Sequence, residues 1–182
     1  MHSLTMRRQH IVLWARVLSI ALCAVATALS ARISVPLPFS PVPLTLQVLV
    51  VVLSGFVLGA RDGAIAQALY LQAILMGAPL TAAGLAGPVA FVSPTAGYLW
   101  AFPLAAALAG WLSHHTASYR PLWRALGGLC ALGAIYLLGM AWLSGFVGGL
   151  GAAWKLGVLP FVGVDALKVI LATAALSACD RR

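Results

Sequence analysis

Asp165 and Lys168 stand three residues apart within the apolar run Pro160-Phe161-Val162-Gly163-Val164-Asp165-Ala166-Leu167-Lys168-Val169-Ile170-Leu171, in a chain of 182 residues that holds only three acidic ones. One turn of helix sets both on the same face, so they form a polar site inside a hydrophobic segment. Three chemistries suit such a pair. A salt bridge can simply fix helix packing; a carboxylate beside an ammonium can offer acceptors and donors to the polar head of a ligand in an apolar pocket; and an intramembrane acid can relay protons. A relay needs more titratable groups than one Asp, which ranks it below the other two. An isolated charge at mid-membrane costs roughly 2.5–3.5 kcal/mol on insertion scales. That cost falls near the interface and when opposite charges attract, so losing one partner should hurt more than losing both.

Other polar residues are thinner signals. Thr45 and Gln47 open one apolar segment and Thr95 and Tyr98 open another; all four could line one external cavity, and each could equally be a helix cap or an interhelical hydrogen bond. Ala24 and Ala28, with Ala21, Cys23, Ala26, Thr27 and Ser30 nearby, let another helix approach closely, either within the protein or from a docking partner. His114 and His115 share a polar connection with Arg120 and Arg124 but have no Glu or Cys companion, so they read as interfacial residues rather than metal ligands. Cys23, Cys130 and Cys179 lie in apolar segments without ligand spacing and read as small buried residues. Gly149-Leu150-Gly151-Ala152-Ala153-Trp154-Lys155-Leu156 approaches a phosphate-binding loop, yet Trp154 and Leu156 occupy the places of the required glycine and hydroxyl residue. With no nucleophile–base pair and no metal-ligand cluster, neither an enzyme, a metal nor a cofactor is expected.

The elements that must position these residues are membrane helices. The chain is 63% hydrophobic and 8% charged, with a mean hydropathy of +1.03, which identifies an integral membrane protein. Spanning the hydrocarbon takes about 20 apolar residues per helix, which predicts one all-α domain over 1–182 with six spans near 11–31, 44–60, 63–78, 97–113, 124–147 and 161–179. Gln67, Tyr70 and Gln72 dilute the third span and should face protein or a cavity. The formal net charge of +8 reports topology rather than nucleic-acid binding. Arg7, Arg8, Arg16, Arg61, Arg120, Arg124, Arg181 and Arg182 all fall on one side of six spans, and only Arg32 and Lys155 on the other. The positive-inside rule then puts both termini in the cytoplasm of a multi-pass cell-membrane protein. Trp14, Trp111, Trp123 and Trp154 lie near span ends, as interfacial aromatics should. The basic start and the small residues Ala24 to Ala28 could instead mark a signal peptide, but the apolar run is longer than such a segment needs, and the charge pattern is coherent only if it is retained.

Two connections on the outer side are unusual. Residues 34–43 contain four prolines, Pro36, Pro38, Pro41 and Pro43, which exclude helix and favour a stiff extended segment. Residues 77–97 are apolar but broken by Gly77, Pro79, Gly84, Gly87, Pro88, Pro94 and Gly97. Irregular backbone at membrane depth survives only when it is buried in protein or lines a cavity. With the sixth span entering from outside, Asp165 lies about one turn below its outer end, on the same side as both loops.

In the stretches from Ala31 to Gln47 and from Ser93 to Leu99, and in Pro160-Phe161 with Asp165 and Lys168, the chain resembles the BioY family, biotin-binding membrane components of energy-coupling factor transporters. The proline-rich stretch is the most specific part, and with the span layout the likeness covers nearly the whole chain. The resemblance implies a six-helix vitamin-binding subunit whose pocket opens outward beneath the loop after the first helix, with no nucleic acid involved. It further implies a separate transmembrane coupling subunit and two ATPases, docking through the first helix at Ala24 and Ala28, and substrate contact by Asp165 and Lys168. Biotin agrees with that pair: its ureido ring carries two N–H donors and a carbonyl acceptor, while its thiophane ring and valeryl chain suit an apolar pocket. The expected function is high-affinity biotin capture and uptake across the cytoplasmic membrane, alone or with an ATP-driven module. A sister subunit for thiamine or riboflavin, and a proton-coupled carrier using Asp165, are the alternatives. Two departures touch the loops: Ser93-Pro94-Thr95-Ala96-Gly97-Tyr98 replaces the family's Gly-Pro-Thr-Gly-Gly-Tyr, and Gly163-Val164 replaces a Pro-Gly before the Asp. Both change backbone freedom beside the expected pocket.

Overall fold

The computed structural model describes residues 2–114 and 120–180, with side chains from Val12 onward except Cys179. His115, Arg181 and Arg182 lie outside the described residues, as do the side chains of Arg7 and Arg8. Among the described residues, the regular elements are helices apart from one short hairpin: α1 (His2–Arg32), β1 (Ser34–Val35), β2 (Leu44–Thr45), α2 (Gln47–Leu75), a 3-10 helix (Gly87–Phe91), α3 (Ala96–Ser113), α4 (Arg120–Val147), α5 (Leu150–Gly157) and α6 (Val162–Cys179).

The second and third expected spans are two arms of α2. A straight helix of its 29 residues would run about 43 Å, but Gly59 has φ 81° and ψ 177°, a backbone region essentially confined to glycine. The chain doubles back there. Gln47 then reaches Tyr70 (2.8 Å), Gln67 reaches Ser54 (3.0 Å), and a Cβ on Gly63 would stand 3.0 Å from the Cα of Gly55. These pairings descend in antiparallel register, so residues 47–58 and 60–75 pack side by side. Gln67 and Tyr70 are buried as expected. Gln72 is exposed, because two positions on from Tyr70 lies the far side of the helix.

By length and composition, Val12–Arg32, Gln47–Leu75, Ala96–Ser113 and Arg120–Val147 can each cross a membrane, and α5 with α6, bent by 54°, adds a fifth candidate if counted as one span. The protein is thus a multi-pass membrane protein. Its exterior carries large apolar side chains such as Leu22, Leu29, Trp100, Leu137 and Ile170, a surface suited to acyl chains. The interior is built from small ones: Ala101, Ala105, Ala106 and Ala109 of α3 are fully buried, which lets α3 lie between α2 and α4. On α1, Thr27 meets Gln67 (3.1 Å), Arg16 forms a bidentate pair with Asp62 (2.5 Å each), and Arg32 donates to the Pro79 carbonyl.

Both unusual connections are ordered over the same end of the bundle. The proline-rich segment closes as a hairpin, with β1 and β2 pairing Ser34 to Thr45 and Val35 to Leu44, and Ser40 ties its tip to the Leu156 carbonyl on α5 (2.7 Å). In residues 77–97, the Thr81 hydroxyl accepts from the Leu85 N–H (2.7 Å) and donates to the Leu85 carbonyl (3.1 Å), and Tyr70 donates to the Leu80 carbonyl (3.1 Å). Helix α5 was not expected from the sequence. Its eight residues follow Gly148 and Gly149, both at positive φ, and are too few to show a membrane-span signal.

Candidate functional site

Helix α6 starts at Val162 and brings Asp165 into its first turn, near the positive end of the helix dipole, which favours a carboxylate. Asp165 is 3% and Lys168 6% exposed. The Lys168 ammonium donates to Asp165 Oδ1 (2.6 Å) and to the Thr45 backbone carbonyl (2.6 Å), and the Tyr136 hydroxyl of α4 donates to Asp165 Oδ2 (2.8 Å). The pair therefore joins three elements: α6, α4 and the end of the proline-rich hairpin. Donor and acceptor capacity is left over. A carboxylate offers about four lone-pair sites and an ammonium three donors, and this network uses two of each.

Asp165 lines a cavity of about 70 Å³ together with Thr45, Gln47, Thr95, Tyr98 and Tyr136. Five of the six expected substrate-binding residues thus meet at one space, and Lys168 joins them through its bonds to Asp165 and Thr45. Their roles differ. Thr45 meets Lys168 through its carbonyl, while its hydroxyl accepts from the Gln47 N–H (3.3 Å). Gln47 gives its amide N–H to Tyr70 (2.8 Å), and the Thr95 hydroxyl pairs with that of Ser93 (3.2 Å). The Tyr98 hydroxyl is committed to the Gly157 carbonyl (2.9 Å). Its ring lies where a Cβ on Gly139 would fall, so Tyr98 forms a wall held between α4 and α5. The remaining walls are apolar: Val48, Leu99, Phe102, Ile135 and Phe161. The irregular segment 77–97 contributes Thr81, Ala82 and Ala83, in keeping with its expected place beside a cavity.

Tyr136 was missed from sequence; a lone tyrosine in an apolar span carries no pattern, and its partner lies 29 residues away. The Thr45 carbonyl was equally hidden, since backbone acceptors leave no trace in residue types. Ala24 and Ala28 face inward. Ala28 is buried in the core and Ala24 packs against it, so the helix they admit closely in this structure is α2. The exposed face of α1 carries Leu18, Leu22, Val25 and Leu29. His114 is exposed, and its Nε2–H donates to the Phe56 carbonyl (3.1 Å).

Comparison with known proteins gives a consistent result. The biotin transporter BioY of Thermotoga maritima is 38% identical over 138 residues, covering 76% of this chain and 80% of its own. The probable biotin transporter BioY of Pyrococcus horikoshii is 41% identical over 154 residues, covering 84% and 88%. The crystal structure of the S-component for biotin from an ECF-type ABC transporter superposes with a TM-score of 0.85 over 96% of this chain and 94% of that one; at 23% identity it shows the shared fold. The family model for BioY matches residues 4–182. With that match end to end and relatives this similar over most of their length, the chain belongs to the BioY family.

Proposed function

We propose that this protein captures biotin outside the cell with high affinity and serves its uptake across the cytoplasmic membrane as the S component of an ECF-type transporter. The observation that carries the reading is the Asp165–Lys168 pair, buried with spare hydrogen-bonding capacity beside a largely apolar cavity. A ureido ring supplies two donors and an acceptor for that capacity, and the apolar walls suit the thiophane and valeryl parts. Relatives that carry the name biotin transporter support the same ligand. Thr45, Gln47, Thr95 and Tyr98 complete the site, Thr45 by its carbonyl and Tyr98 as a wall. A cavity of about 70 Å³ has room for a few waters, less than biotin needs. Entry therefore requires the hairpin to lift, and the Lys168 bond to the Thr45 carbonyl is the contact that biotin would replace.

Six crossings, with both termini inside and the pocket outside, complete the proposal. The doubled-back arms of α2 and the one-sided arginines support it. Capture needs no partner, whereas energised release calls for a coupling subunit and two ATPases. Docking would use α1, with Ala24 and Ala28 setting its seat on α2 and Leu18, Leu22, Val25 and Leu29 facing the partner. The test is equilibrium binding of labelled biotin to the purified protein in detergent. Displacement by unlabelled biotin but by neither thiamine nor riboflavin is expected. No binding would sink the function, and displacement by thiamine or riboflavin would move it to a sister vitamin.

A further inference from the structure

The far end of the bundle holds a second cavity, of about 430 Å³, between the first arm of α2 (Phe56, Val57), the end of α3 (Ser113, His114), the start of α4 (Arg120, Arg124) and the end of α6 (Leu176, Asp180). Asp180 follows Asp165 by fifteen positions, which places this cavity about 22 Å along α6 from the biotin site. Its charge is unbalanced, unlike the matched acid and base of the first. Two guanidinium groups face a single carboxylate: Arg124 Nη1 stands 2.8 Å from Asp180 Oδ2 and Arg120 Nη1 3.9 Å from the same atom. Arg124 is only 9% exposed; its Nη1 is taken up by the ion pair with Asp180, whereas its Nε makes no hydrogen bond. The neighbouring polar groups are already engaged, Ser113 with the Gly110 carbonyl (3.1 Å) and His114 with the Phe56 carbonyl (3.1 Å).

Among the described residues, a buried guanidinium with an unused Nε–H, beside a second arginine and one carboxylate, leaves one positive charge in excess. Its planar fork matches an oxyanion bidentately. One wall of the cavity is apolar, and there Val57 is 58% exposed, on an exterior rich in large apolar side chains. Basic pockets between membrane helices at an interface suit anionic headgroups. We propose that this cavity binds the phosphate of an anionic phospholipid, with Arg124 as the central donor, Arg120 at the rim, and the glycerol and upper acyl chain against Phe56 and Val57. Asp180 then competes with the phosphate for Arg124, and lipid binding frees the end of α6 from the start of α4.

The full-length protein in neutral detergent is titrated with phosphatidylglycerol, with phosphatidylcholine of the same acyl chains, or with inorganic phosphate, and followed by native mass spectrometry and thermal unfolding. Phosphatidylglycerol should be retained in preference to phosphatidylcholine. Arg124→Gln should weaken its binding about tenfold, the factor that corresponds to losing one charged contact, and Asp180→Asn should strengthen it, because the competing carboxylate is gone. If Arg124→Gln fails to fold, Arg120→Gln, expected to weaken binding, and Asp180→Asn decide the matter. Equal retention of the two lipids, or no gain in Asp180→Asn, would overturn the proposal; protection by inorganic phosphate equal to that by phosphatidylglycerol would overturn the lipid as ligand. Labelled biotin binding, measured in the same samples, should be unchanged by Asp180→Asn, so the two sites stand or fall separately.

Discussion

Asp165 is held by two donors from different elements, Lys168 and Tyr136, so its replacements separate charge from orientation. Asp165→Asn and Lys168→Met should each abolish labelled-biotin binding in an equilibrium assay, and undiminished binding in both would remove the pair from the site. Each single change leaves one buried charge unpaired, a loss of about 3–5 kcal/mol when a buried pair is broken on one side. The double variant should therefore unfold at a higher temperature than either single one, while still failing to bind. Tyr136→Phe keeps the ring and removes one hydrogen bond to the carboxylate, so biotin affinity should fall about tenfold, the equivalent of 1.4 kcal/mol, with capacity intact. At this scale the sequence displayed the i, i+3 pair and the four residues that open the second and fourth expected spans. Tyr136, the Thr45 carbonyl and the buried setting of Arg124 depend on side chains meeting across distant segments, which no local pattern records.

Elements determine how tightly those side chains are held. Gly59 turns α2 back on itself in a conformation costing other residues about 1–3 kcal/mol; Gly59→Ala should lower the thermal unfolding temperature accordingly while the site residues stay chemically intact. Gly139 is where α4 meets the Tyr98 ring, and an added methyl there would overlap it. Overpacking of this kind costs about 1–3 kcal/mol, and the displaced ring would narrow the cavity. Gly139→Ala should thus reduce both unfolding temperature and biotin affinity. Gly133→Ala on the same helix, where an added Cβ meets nothing within 4 Å, should spare both. The expected spans overlap each long helix, although α1 begins at His2, nine residues before its expected span, because an apolar run of about twenty residues leaves little choice of structure while a polar helical extension leaves no hydropathy signal. Hydropathy separated the second and third spans without revealing that one glycine joins them, and it passed over α5, whose eight residues are fewer than any membrane window samples.

For the whole molecule, the proposed topology is open to a direct measurement. In a variant lacking Cys23, Cys130 and Cys179, Phe39→Cys should react with a membrane-impermeant thiol reagent on intact cells, whereas Arg61→Cys should react only after the cells are opened. The reverse pattern would invert the protein and put the proposed biotin pocket inside. Sequence alone determined that this chain lives in a membrane and that an acid and a base share one face of its last helix. Those properties follow from transfer free energies and helical periodicity, which act locally along the chain. Tertiary structure alone decided that the proline-rich hairpin supplies a backbone carbonyl to Lys168, that Tyr136 completes the hold on Asp165, that Ala24 and Ala28 face inward, and that Arg124 is buried at the opposite end. The physical reason is common to all four: each depends on which surfaces of separate helices come into contact, a choice made by packing the whole bundle at once.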